Sequence, residues 1–211
     1  MPPTTTIASD ARTAVLDAAV RLFDARGYAA VSIGDLTAAS GVSNGSIYHH
    51  FSSKEGVLAA LVVGALADYQ QSLLAVFDAH LDDAPGGVRA AVAHELTWLE
   101  RNPREARLIL AHRDTVATSP AGQEPLRAAN RAFVRAGRAW LDRHPATRGI
   151  DINLLHAVAF APARDLGALW LARRLKTKPT AYAATLGDAA WAAFQTLPTT
   201  PSTSTKATTS T

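Results

Sequence analysis

Residues 31–58, VSIGDLTAASGVSNGSIYHHFSSKEGVL, predict two short helices and the start of a third. Ser32 is followed three residues later by Asp35, which is the spacing of a capping box at the amino end of a helix. Gly41 predicts the end of that helix, because glycine readily adopts the left-handed conformation required there. Ser43 is a favoured amino-cap residue for the next helix. Two helices joined by the three-residue corner 41–43 are typical of a helix-turn-helix unit.

The second helix, predicted over residues 44–51, has few residues to bury. Only Ile47 and Phe51, four positions apart, form a face that can pack inward. The side chains suited to DNA point outward: asparagine can pair with adenine, glycine lets the backbone approach a phosphate, and serine, tyrosine and histidine donate to phosphate oxygens. They are Asn44, Gly45, Ser46, Tyr48 and His49. An ordinary polar surface helix is the alternative interpretation.

A third helix is expected to begin directly after the second. Ser52 and Glu55 have the spacing of another capping box, and Lys54 adds a positive charge near the free amides of the helix start. The predicted DNA-binding set, including the cap of the second helix, is therefore Ser43, Asn44, Gly45, Ser46, Tyr48, His49 and Lys54.

Residues 42–55 follow the pattern Val42-Ser43-x-Gly45-x-Ile47-Tyr48-His49-His50-Phe51-x-Ser53-Lys54-Glu55. This pattern resembles the DNA-binding signature of the TetR family of bacterial transcriptional repressors. The detailed resemblance covers about residues 10–60, and the remainder resembles the family only in its helix pattern. His49 stands where the family usually has an aromatic residue.

Composition is that of an ordinary soluble helical protein, with 48% hydrophobic and 18% charged residues among 211. The absence of cysteine excludes a disulfide framework and thiol catalysis. The longest strongly apolar run, residues 58–67, is shorter than the roughly 20 residues of a membrane span. The first residues, MPPTTT, lack the basic and apolar regions of a signal peptide. We therefore expect a cytoplasmic protein without a membrane partner.

The net charge of +3 is compatible with a nucleic-acid partner. The first 60 residues, however, carry four basic and five acidic side chains. Since non-specific affinity for DNA comes mainly from basic residues, this balance favours specific recognition with a modest dependence on salt.

Helical periodicity extends over the rest of the chain and predicts an all-α fold. A helix over about residues 9–25, ended by Gly27, completes a three-helix DNA-binding domain of residues 1–53. A long helix from Lys54 enters a second helical domain of residues 54–197, with further helices near 88–101, 104–113, 124–143, 152–176 and 180–197. The resemblance implies that this domain serves ligand binding and dimerisation. Pro162 is expected to kink or split its helix. The Ser/Thr/Pro-rich residues 198–211 are predicted to be a disordered tail.

The resemblance implies a homodimer whose final two helices form a four-helix bundle with those of a partner. These helices place small residues beside large apolar ones, which permits close packing; packing within one subunit is the alternative. The predicted interface residues are Phe160, Gly167, Ala168, Leu171, Ala184, Ala190, Trp191 and Phe194.

By analogy with inducer sites of the family, residues 88–160 are expected to enclose a pocket for a lipophilic or aromatic effector. Ligand pockets combine large apolar side chains with a few polar tips. The candidates are His94, Trp98, Leu108, His112, Phe133, Trp140 and His156, each of which has an ordinary core position as its alternative.

Catalytic patterns are incomplete in this sequence. His94-Glu95 begins like the zinc-protease pattern His-Glu-x-x-His, but the fifth position is Trp98. We therefore predict no catalytic residue, metal or cofactor.

The sequence favours a repressor that binds a palindromic operator in double-stranded DNA and is released by a small molecule. A DNA-bound scaffold acting through a protein partner without a ligand is the alternative, and an activator on the same fold stays open.

Overall fold

The computed structural model describes residues 5–197, with side chains from Asp10 onward. The predicted tail, residues 198–211, lies outside the described residues. Within them the regular structure is helical, which confirms the all-α fold. The α-helices are α1 (Thr5–Arg26), α2 (Ile33–Ser40), α3 (Asn44–Phe51), α4 (Lys54–Asp78), α5 (Ala84–Arg101), α6 (Pro103–Thr118), α7 (Gln123–Arg143), α8 (Ile152–Leu155), α9 (Ala161–Leu171) and α10 (Ala183–Phe194).

The described residues form two compact units. The first contains the chain up to Ser72 together with Trp98–Phe133, and the second contains Leu73–Thr97 together with the chain from Val134 onward. In the first unit, α1 packs on α2 and α3, so the predicted three-helix arrangement is confirmed. Its core is apolar and fully enclosed, with Val15, Ala18, Phe23, Leu36, Ile47 and Phe51 all buried.

Helix α6 packs against α1 in the same unit. Arg107 Nε donates to Asp24 Oδ1 across 2.7 Å, and this hydrogen bond holds the pKa of Asp24 below its usual value. Tyr28, in the turn after α1, packs edge-to-face against Phe23 and against His112 of α6, with ring centroids 5.2 and 5.6 Å apart. The first unit therefore joins the predicted DNA-binding helices to a helix from much later in the chain.

Helix α5 begins at Ala84, so its predicted start at residue 88 is wrong. Pro85 is tolerated because the first turn of a helix does not need its missing N–H. Asp83 Oδ1 accepts from the Gly86 N–H at 2.9 Å, which provides the cap. Gly87 lies directly against the Trp140 ring, where a side chain would collide.

Pro162 is accommodated without breaking the run of helix between α8 and α9. Residues His156–Phe160 form one π-helical turn, in which the Ala161 N–H donates to the His156 oxygen. A π-turn inserts one extra residue, and Pro162 then falls in the first turn of α9, where its missing N–H costs little.

Among the described residues, only α4 is long and apolar enough to cross a membrane by length and composition. Half of its apolar window is buried inside the protein.

Candidate nucleic-acid interface

The corner between α2 and α3 has the geometry that its sequence predicts. Ser32 Oγ accepts from the Asp35 N–H, and the Ser32 N–H donates to Asp35 Oδ2 at 2.8 Å, which completes the capping box. The Ser32 hydroxyl also donates to Asp35 Oδ2 at 2.6 Å, and this bond, followed by those from the Ser32 N–H and Arg26, holds the pKa of Asp35 well below its usual value. Gly41 ends α2 with a φ of 71°, in the left-handed region. Both ends of α2 are therefore fixed by local hydrogen bonds.

Helix α3 presents a polar face that the rest of the unit leaves open. Ser43 Oγ accepts from the Ser46 N–H at 3.3 Å, as expected of an amino cap. Ile47 is completely buried and Phe51 is 6% exposed, so they anchor α3 to the core. Tyr48 is 51% exposed. Of the other predicted DNA-binding residues on this corner, Ser46 is half-buried, and Ser43, Asn44, Gly45 and His49 are exposed.

Thr37 belongs to this surface but was missed by sequence reasoning. Its hydroxyl donates to Asn44 Oδ1 across 2.5 Å, joining α2 to the first residue of α3. No periodicity or cap pattern marks this threonine, because the bond depends on how the two helices meet at the corner.

Arg12 is an exposed residue that sequence reasoning also missed. Its guanidinium carbon lies 5.6 Å from the centre of the Phe51 ring, at the end of α3. Among the described residues it forms no ion pair. It therefore places a positive charge beside the helix predicted to read DNA.

Lys54 points inward rather than into open solvent. Its Nζ atom donates to the backbone oxygens of Tyr28 and Val31, at 3.2 and 2.9 Å. An ammonium group has three donors, so one remains for another acceptor. The structure thus gives Lys54 a structural task that the sequence did not indicate.

The predicted capping box of Ser52 and Glu55 is wrong by one residue. Ser52 ends α3 in the left-handed conformation, with a φ of 63°, and its N–H donates to the Tyr48 oxygen. Ser53 Oγ instead accepts from the Gly56 N–H at 3.1 Å and caps α4. Because α3 extends to Phe51, one residue must turn the chain before the next cap.

Four of the predicted pocket residues lie in the first unit. Leu108 is buried and Phe133 is half-buried. Trp98 packs edge-to-face against Tyr69, and His112 does the same against Tyr28. Burial lowers the pKa of His112. None of the four borders the groove of about 730 Å³ that runs along α4 in this unit.

The other three predicted pocket residues lie in the second unit. Trp140 is buried against Phe77, with ring centroids 4.8 Å apart. His156 Nε2 lies 2.9 Å from Arg164 Nη1. Burial lowers the pKa of His94, while the neighbouring Glu95 opposes this shift. Whether any of the seven residues contacts a ligand stays a prediction.

The predicted interface residues on the last helices fall into two groups. Phe160, Gly167, Ala190 and Phe194 are buried by the chain's own residues, whereas Ala168, Leu171, Ala184 and Trp191 keep part of their surface exposed. Only the second group offers apolar area to a partner in this conformation.

Comparison with known proteins connects the corner to a family. Residues 15–61 match the bacterial regulatory proteins of the tetR family. Over 60 residues the chain is 43% identical to the HTH-type transcriptional repressor KstR2 of Rhodococcus jostii (strain RHA1). That match covers 28% of this chain and 29% of the relative, so less than a third of either protein is compared.

Solved structures match over most of the chain. A TetR family transcription regulator from Marinobacter aquaeolei VT8 has a TM-score of 0.70 at 20% identity, covering 90% of this chain and 98% of that one. FadR from Bacillus subtilis, in complex with stearoyl-CoA, has a TM-score of 0.65 at 14% identity, covering 84% and 96%. Such low identities show the fold alone. The match of residues 15–61 identifies this part of the chain with the bacterial regulatory proteins of the tetR family, and the solved structures show that the chain shares the fold of TetR family regulators.

Proposed function

We propose that this protein is a transcriptional repressor that binds a palindromic DNA operator as a homodimer and is released by a small molecule. The observation that carries the proposal is the polar face of α3. Ile47 and Phe51 fix the helix to the core, and their burial leaves the opposite face open to a major groove.

The side chains of α3 have distinct tasks in this proposal. Asn44 and Ser46 contact bases, while Ser43, Tyr48 and His49 hold phosphates. Ser43 can do so while capping α3, because its oxygen accepts from Ser46 and its hydroxyl proton stays available. At Gly45 an added Cβ would meet nothing within 4 Å, so the backbone there is open to close approach.

Two cations support these contacts. Lys54 has one ammonium donor left for a phosphate after bonding to Tyr28 and Val31. Arg12 is exposed beside Phe51 and adds a second positive charge. A small number of cations agrees with a modest salt dependence of binding.

Dimerisation is proposed through α9 and α10. Ala168, Leu171, Ala184 and Trp191 keep exposed apolar area there, and Leu169 is 40% exposed. A two-fold dimer presents two α3 helices to half-sites about 34 Å apart, which matches a palindromic operator.

Release is proposed through α4, which begins beside α3 and continues for 25 residues without interruption. At 1.5 Å per residue this helix is about 38 Å long, so a small tilt at one end displaces the other. We assign residues 1–53 to DNA binding and residues 54–197 to ligand binding and dimerisation. A ligand releases DNA only through its difference in affinity for the two states, typically about 1–3 kcal/mol.

The test is a binding assay of the full-length protein with the DNA that flanks its own gene, at two salt concentrations. Palindrome-dependent binding is expected, and Tyr48→Phe is expected to weaken it roughly ten-fold through the loss of a phosphate hydrogen bond. Tyr182→Phe, in the second unit, is the matched control and is expected to bind as the parent does.

Lipophilic and aromatic compounds are then added to the protein–DNA complex. Stearoyl-CoA is the first probe, because FadR of the same fold was solved with it. Release by one compound class would support a ligand-responsive repressor. Specific binding that no compound changes would favour the DNA-bound scaffold, and binding without sequence preference would contradict the proposed function.

A further inference from the structure

The Thr37–Asn44 hydrogen bond fixes one polar side chain at the start of α3. Thr37 lies in the last turn of α2, where its backbone oxygen also accepts from the Gly41 N–H at 2.9 Å. Asn44 is the first residue of α3. The side-chain bond therefore spans the corner and ties the orientation of the asparagine amide to the side chain of Thr37 on α2.

This bond determines which atoms of Asn44 face outward. An asparagine amide has an oxygen that accepts and an amino group that donates two hydrogen bonds. Here the oxygen is held toward α2 by the Thr37 hydroxyl, at 2.5 Å. The described residues provide no acceptor for Nδ2, and the side chain of Asn44 is exposed. Asn44 therefore offers donors to a ligand in front of α3.

The two purines differ in what they present to such a group. Adenine shows an acceptor, N7, beside a donor, N6, and a free asparagine pairs with both by using its oxygen and its amino group. Guanine shows two acceptors, N7 and O6. With its oxygen directed toward α2, Asn44 can donate to either acceptor of guanine but is poorly placed to accept from adenine N6.

We infer that Thr37 is a positioning residue for base recognition: its hydroxyl makes Asn44 a hydrogen-bond donor, so that the operator position facing Asn44 is guanine. This inference rests on the proposed function. Removal of the hydroxyl frees the Asn44 oxygen and shifts the preference at that one position toward adenine.

The test is selection of binding sites from random double-stranded DNA by the full-length protein and its variants. Asn44→Ala identifies the position that Asn44 reads, because the preference is lost there alone. The parent is expected to enrich guanine at this position. Thr37→Val keeps the shape of the threonine but lacks its hydroxyl, and is expected to change the guanine-to-adenine ratio by roughly ten-fold. Thr37→Ser keeps a hydroxyl and is expected to retain guanine.

Several outcomes would overturn the inference. Enrichment of adenine by the parent would overturn the inference even if Thr37→Val did not fold. A folded Thr37→Val protein with an unchanged guanine-to-adenine ratio would overturn it as well. An equal shift caused by Thr37→Val in an Asn44→Ala background would show that Thr37 acts elsewhere. A palindrome with no position dependent on Asn44 would refute this inference and leave the proposed function intact. Failure of the parent to enrich any sequence would refute both.

Discussion

The Nζ atom of Lys54 lies 4.3 Å from the centre of the Tyr28 ring. The same ammonium donates to the backbone oxygens of Tyr28 and Val31. It thus connects the first residue of α4 to the segment between α1 and α2, which lies more than twenty residues earlier in the sequence. The contact combines a cation–π interaction with two charge-assisted hydrogen bonds, so Lys54 contributes to the stability of the DNA-binding unit.

We predict that Lys54→Met lowers the free energy of unfolding by about 1–2 kcal/mol, because methionine keeps the stem but loses the ammonium. Urea unfolding of the variant and parent provides the measurement. Lys178→Met, at an exposed position, is the control and is expected to have little effect. A Lys54→Met protein that is as stable as the parent but binds operator weakly would instead show that the ammonium serves DNA alone.

Tyr28 makes the stability of the first unit depend on pH in the alkaline range. Burial, followed by the charge of Glu55 and the hydrogen bond to it, raises the pKa of Tyr28 to about 12. The unfolded chain loses this proton near pH 10, so the folded state holds the proton over a higher pH range. The stability contributed by Tyr28 is therefore complete below pH 10 and is lost as pH rises from 10 to 12.

We predict that Tyr28→Phe removes an absorbance titration step near pH 12 and flattens the loss of stability between pH 10 and 12. Ultraviolet titration and urea unfolding across this range measure the two effects. A variant whose stability falls as steeply as the parent's would show that other groups cause the alkaline unfolding.

Local signals predicted the α2–α3 corner well because each feature depends on residues close in sequence. The capping box depends only on Ser32 and Asp35, and the end of α2 depends only on Gly41 and the helix before it. Contacts between residues in different elements cannot be predicted from such local patterns. Lys54 meets Tyr28 and Val31 only after α1 has packed, and Thr37 meets Asn44 only after the corner has formed.

The sequence says less about what covers each apolar face of the later helices. A stripe of apolar residues indicates that a face is covered, but it does not say whether the chain itself or a partner covers it. Phe160 and Phe194, which the sequence predicts for a subunit interface, are buried within the chain, and their contact with a partner stays a prediction. The predicted pocket residues likewise include Trp140, whose environment of Phe77 and Gly87 is that of a core side chain.

Gly56 and Gly64 on α4 are predicted to respond to alanine in opposite directions. A Cβ at Gly56 would collide with the backbone oxygen of Phe51, whereas one at Gly64 would meet nothing within 4 Å. We expect Gly56→Ala to destabilise the protein by about 3 kcal/mol, since the end of α3 must shift. Gly64→Ala is expected to stabilise it by about 1 kcal/mol through helix propensity. Thermal unfolding distinguishes them, and a Gly56→Ala protein as stable as the parent would contradict the close approach of α3 and α4.

Ser52 and Ser53 are adjacent, yet the structure predicts different responses at the two positions. Ser53 caps α4, so Ser53→Ala is expected to cost about 1 kcal/mol of unfolding free energy. Ser52 is exposed and holds a φ of 63°, a conformation that costs a residue with a side chain about 1 kcal/mol or more. Ser52→Gly is therefore expected to stabilise the protein by about 1 kcal/mol, while Ser52→Ala retains the strain and loses no cap. Urea unfolding of the three variants decides whether Ser52 or Ser53 caps α4. If Ser52→Ala lowers the free energy of unfolding more than Ser53→Ala does, the cap is Ser52, as the sequence alone predicted.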